Sequence, residues 1–81
     1  MLRIATKTKL SPENTINKAV EFFGPEGYKL KLLTKSDTSA VFEGSGGSVE
    51  IFACEEGGKT TVDFLSKEWD FQVKEFIKLI R

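Results

Sequence analysis

Residues 49–65, VEIFACEEGGKTTVDFL, leave little freedom in what this chain can become. Val49, Ile51 and Ala53 alternate with Glu50, Phe52 and Cys54, the period of two that defines a β-strand with one apolar side. From Thr60 to Leu65 the alternation resumes, with Val62 and Phe64 on the inner side. Between the runs stands Glu56-Gly57-Gly58-Lys59, whose paired glycines can adopt the positive φ angles of a tight hairpin turn. The segment predicts two antiparallel strands over Val49–Glu55 and Thr60–Leu65. A sheet with one apolar face must bury that face against another layer, so helices are required elsewhere.

The remaining chain supplies them. Leu2, Ile4, Thr6, Thr8 and Leu10 alternate with Arg3, Ala5, Lys7 and Lys9, which predicts a first strand. Ser11 then offers an N-cap hydroxyl, Pro12 a residue suited to the first helical position, and Glu13 a negative charge in the first turn. Ile16, Ala19, Val20 and Phe23 recur at helical spacing, and Gly24-Pro25 ends the run. From Tyr28 the period of two returns, with Tyr28, Leu30 and Leu32 facing one way and Lys29, Lys31 and Leu33 the other. A turn over Lys35–Ser39 leads into a short strand, Ala40–Glu43, and Gly44–Ser48 forms a glycine-rich loop before Val49. The tail is helical: Trp69, Val73, Phe76, Ile77 and Ile80 share one stripe, and Ser66 is the expected cap.

The order is β-α-β-β-β-β-α, an α+β fold in one domain over residues 1–81. Hairpins make strands two to five a meander, strand one pairs antiparallel with strand five, and both helices cover one face. This order resembles the TATA-binding-protein half-repeat and the related helix-grip folds, along the whole chain and by element order alone. Such a likeness implies an architecture and no activity.

Charge and cysteine content narrow the function. Twelve basic and twelve acidic side chains balance to zero, where a strongly electrostatic nucleic-acid or membrane binder carries a basic excess. The chain has one cysteine, Cys54, and no histidine. An intramolecular disulfide is excluded, as are the histidine-based nucleophile pairs and the usual zinc sets. No apolar run reaches membrane length and the start lacks a signal-peptide core, so a cytoplasmic protein is expected.

Residue by residue, the chemistry is sparse. A phosphate loop leads into a helix and places a lysine nearby, whereas Gly44–Ser48 leads into a strand; it is expected to turn a hairpin. Glu43 and Glu50 flank that loop on one face and are expected to be solvated charges. Cys54 lacks a neighbouring cation and is expected to be a small packing residue. No catalytic residue, metal site or cofactor is assigned.

The outward sheet face is more informative. It is expected to carry Arg3, Lys7, Lys9, Lys29, Lys31 and Lys35 with Glu43, Glu50 and Asp63, and also the apolar Leu33, Val41, Phe52, Cys54 and Leu65. An open antiparallel face is ordinarily polar, so these apolar residues suggest a covered surface. The leading expectation is a non-enzymatic domain that binds a protein partner or forms a homodimer through this face. A second is a carrier of a small apolar ligand, with a cavity lined by Phe64, Trp69 and Phe76. A third is nucleic-acid binding through Arg3, Lys7, Lys9, Lys29 and Lys31, with Tyr28 and Phe52 as stacking platforms.

Overall fold

The protein's computed structural model describes residues 2–24, 27–44 and 46–81. Its elements are β1 (Leu2–Thr8), α1 (Pro12–Phe23), β2 (Lys31–Lys35), β3 (Ser39–Gly44), β4 (Gly47–Glu56), β5 (Lys59–Lys67) and α2 (Asp70–Ile80). The strands form one antiparallel sheet in the order β1-β5-β4-β3-β2. This is the α+β arrangement expected from the alternating runs, including the pairing of the first strand with the last.

Local chemistry sets most boundaries. The Ser11 hydroxyl accepts from the Asn14 amide at 3.2 Å, Pro12 opens α1, and the Gly24 amide closes it on the Val20 carbonyl. Pro25, expected beside Gly24 at the helix end, lies outside the described residues. In the β4–β5 turn Glu56 pairs with Lys59, with φ of 57° at Gly57 and 84° at Gly58, the geometry that two glycines allow.

One face of the sheet is apolar and both helices lie on it. Phe42, Val49, Ile51, Val62 and Phe64 meet Ile16, Ala19 and Phe23 of α1 and Val73, Phe76, Ile77 and Ile80 of α2, all buried. Aromatic rings fill the interhelical space, with Phe64–Phe76, Phe23–Phe76 and Phe22–Phe76 centroids 5.9, 5.6 and 5.3 Å apart.

Four expectations are corrected. First, β2 begins at Lys31, not Tyr28. The amides of Tyr28, Lys29 and Leu30 donate to Phe22, Gly24 and Phe23, so this segment completes the end of α1 instead of a strand ladder. Second, a bulge between Leu32 and Thr34 sets Leu33 and Thr34 against the single Val41. Side-chain parity shifts beyond it, so Lys35 pairs with the inward Ala40 and leaves the outer face. Third, β5 continues to Lys67 because Ser66 pairs with both Leu2 and Val49. Ser66 is therefore a buried strand residue, and Trp69 takes the N-cap position of α2 with no side-chain cap bond. Fourth, Cys54 is exposed, because it points away from the helices on β4.

Candidate functional site

Register determines what shares the helix-free face. One row across the sheet reads Arg3–Leu65–Glu50–Val41–Thr34, and the next reads Ala5–Asp63–Phe52–Ser39. Val41 and Leu65 thus stand on either side of Glu50, each diagonal to Phe52. Diagonal neighbours lie about 7–8 Å apart, within reach of an aromatic ring. Phe52 is 48% exposed and Leu33, in the bulge beside Val41, 46% exposed. Cys54 follows Phe52 on the same side of β4, opposite Thr61. Leu33, Val41, Phe52, Cys54 and Leu65 therefore all lie on the helix-free side.

Charges of both signs surround these apolar residues. Glu43 stands opposite both Lys31 and Ser48, and diagonal to Glu50. Among the described residues the ion pair is Lys78–Glu75 on α2, at 3.7 Å. Arg3, Lys31, Glu43, Glu50 and Asp63 are consequently in no ion pair among the described residues.

The five basic residues expected to act together are dispersed. Arg3 and Lys7 lie on β1 and Lys31 on β2, the opposite edges of the sheet, with acid-bearing strands between them. Lys9 lies past the end of β1. Lys29 lies before β2 with φ of 65°, in the turn that closes α1. A backbone committed to capping a helix carries that lysine off the sheet. Tyr28 leaves with it and packs on the helix side, 5.3 Å from Phe22 and 5.9 Å from Trp69 by ring centroid.

Of the three aromatics assigned to a ligand cavity, two pack on each other and one lies apart. Phe64 and Phe76 are each 1% exposed and pack edge to face. Trp69 lies apart, at the glycine-rich turn, where its Nε1 donates to the Gly44 carbonyl at 3.2 Å. That turn joins two strands, with Gly44 paired to Gly47, and no helix follows it. Ser45 lies outside the described residues.

Two surface features escaped the sequence reading. Phe71 and Leu79 are 66% and 65% exposed, off the buried stripe of α2, and line a groove with Phe22 and Tyr28. Helical phase could have revealed them, since both miss the i, i+4, i+7 series from Trp69. The other is an open cleft of about 540 Å³ at the far end of the molecule, bordered by Lys7, Lys9, Lys18, Lys59 and Arg81. Its residues come from four separate segments, so no local signal announces it. Among the described residues no three His, Cys, Asp or Glu side chains group to hold a metal, and no helix is long and apolar enough to cross a membrane.

The architecture defines the class: a five-stranded antiparallel sheet with two helices on one side and the other side bare. No family model matches the chain, and no curated protein or solved structure matches it significantly.

Proposed function

We propose that this chain is a non-enzymatic cytoplasmic domain that associates with itself through the bare sheet face, with Phe52 at the centre. The observation that carries this reading is the apolar group Phe52, Val41 and Leu65 around Glu50, set among charges that form no ion pair among the described residues. A second copy supplies both of the things this face lacks. It covers the rings and aliphatic side chains, and it offers carboxylates to Arg3 and Lys31 and cations to Glu43, Glu50 and Asp63. Because the chain carries zero net charge, two copies approach without long-range repulsion.

The area is adequate. Five strands about 4.8 Å apart and about 23 Å long project on the order of 550 Å². Side-chain relief brings the accessible area toward the ~800 Å² per partner of a standard interface. A reducing compartment suits the exposed thiol of Cys54, which stays free there. The β-α-β4-α order supports the likeness to the TATA-binding-protein half-repeat and helix-grip architectures, and architecture alone brings no activity with it.

Sedimentation equilibrium over a range of concentrations tests the reading. The parent chain is expected to dimerise, and Phe52→Glu to sediment as a monomer with an unchanged far-UV spectrum. A parent that stays monomeric at every attainable concentration overturns it.

A further inference from the structure

The cleft at the end of the molecule joins segments distant in sequence. Lys7 comes from the end of β1, Lys9 from the β1–α1 connection, Lys18 from α1, Lys59 from the start of β5 and Arg81 from beyond α2. Five of the chain's twelve basic residues thus border one concavity, and among the described residues no aspartate or glutamate lines it. None of the five is in an ion pair within the described chain. The carboxyl end of α2 contributes the negative pole of a helix, about half an elementary charge, and Glu56 stands opposite Lys59 across the β4–β5 turn, so the positive charge is only partly offset.

The floor is apolar and its backbone is held in place. Leu10, Leu79 and Ile80 form the greasy part of the lining. The buried Thr8 hydroxyl donates to the Ile80 carbonyl at 2.5 Å and accepts from the Leu10 amide at 3.3 Å, while the Thr60 hydroxyl donates to the Leu10 carbonyl at 2.6 Å. These bonds tie β1, β5, the β1–α1 connection and the end of α2 into one frame. The cations therefore project from a rigid base. Like charges bordering one concavity repel, and a multivalent anion relieves that repulsion.

We propose that this cleft binds a phosphate-bearing ligand, its multiply charged phosphate group held by Lys7, Lys9, Lys18 and Lys59 and its apolar body resting on Leu10, Leu79 and Ile80. A volume of about 540 Å³ lies within the range of small-molecule sites. The same chemistry is offered by a soluble phosphoester and by a phospholipid headgroup, and Lys7, in the row Lys7–Thr61–Cys54, places one border of the site on the helix-free side.

The test is an amide NMR titration of the full chain with inorganic pyrophosphate against sodium chloride of equal ionic strength. Saturable shifts are expected at Lys9, Leu10, Lys59 and Ile80. Lys9→Glu with Lys59→Glu is expected to weaken binding about tenfold or more, the loss typical of charge-assisted contacts. Lys18→Glu alone is expected to weaken it less, and Lys35→Glu, on the opposite edge and off the helix-free face, not at all. Flotation with vesicles of phosphatidic acid in phosphatidylcholine separates the two sources. Binding displaced by pyrophosphate identifies a headgroup, and no vesicle binding alongside saturable pyrophosphate binding identifies a soluble phosphoester. Absence of saturable shifts, or equal affinity in the Lys9/Lys59 double variant, overturns the proposal.

Discussion

Trp69 lies against Gly47 so closely that a β-carbon on the glycine would fall 2.9 Å from the indole Cδ1 and 2.2 Å from the Lys67 carbonyl oxygen. The same indole donates to the Gly44 carbonyl at 3.2 Å. The glycine-rich segment is thus shaped by two needs, a turn between strands and room for the ring that precedes α2. Gly47→Ala is expected to destabilise the protein by about 2–3 kcal/mol, because backbone must move to admit the methyl group. Trp69→Phe, which removes the donor and part of the ring packed against the core, should cost about 1–3 kcal/mol. Thermal denaturation checks both, at roughly 4–8 °C per kcal/mol for a domain of this size.

Phe76 touches Phe22, Phe23 and Phe64 in the closed interior. Phe76→Ala is expected to lose about 3–5 kcal/mol, enough to abolish or nearly abolish cooperative unfolding. Phe71→Ala, on the exposed side of the same helix, should shift stability by no more than about 0.5 kcal/mol. Denaturant titration of the two variants measures the contrast. Equal and small effects would show that the interior is loose enough to hold an apolar ligand after all.

The hydroxyl of Ser66 is buried with no hydrogen-bond partner among the described residues. A buried hydroxyl without a partner costs its desolvation, so Ser66→Ala is expected to be neutral or to stabilise by up to about 1 kcal/mol. Loss of more than that in a urea midpoint would reveal a bond that the hydroxyl makes in solution.

Thr8 joins the carboxyl end of α2 to the first connection through its hydroxyl. Thr8→Val keeps the shape but strands the Leu10 amide and the Ile80 carbonyl, at a cost of about 1–3 kcal/mol. Hydrogen exchange should accelerate most in the last turn of α2, and unchanged exchange there would contradict the role given to this bond.

Charge on the bare face offers a separate check on self-association. If Arg3 and Glu50 meet their counterparts across the interface, Arg3→Glu and Glu50→Arg each weaken the dimer, and the double exchange restores part of the loss. Sedimentation at low and high salt reads this directly, since exposed charge pairs are screened as ionic strength rises.

Element identity was legible in the residues themselves. Ser11 and Pro12 announced α1, Gly57-Gly58 the β4–β5 turn, and the alternation of Val49, Ile51 and Ala53 the buried side of β4. These signals act over one helical turn or one hairpin, so a single sequence carries them. The grouping of Leu33, Val41, Phe52, Cys54 and Leu65 on the helix-free side was legible for the same reason, since alternation sets the face.

What the tertiary structure decided depends on partners far along the chain. Ser66 has the chemistry of a helix cap, yet Leu2 and Val49 on either side hold it in β5. Lys29 continues an alternating pattern, yet the open carbonyls of α1 draw its backbone out of the sheet. Arg3 and Lys31 read as one basic surface until strand order puts them on opposite edges, while Lys7, Lys9, Lys18, Lys59 and Arg81 form a cleft that no short window contains. The sequence by itself determined which segments become helix or strand and which side of each is apolar, because propensity and periodicity are local. Strand length, edge position and the meeting of distant charges were left to tertiary structure, because hydrogen-bond pairing and close packing are satisfied only when the whole sheet is assembled.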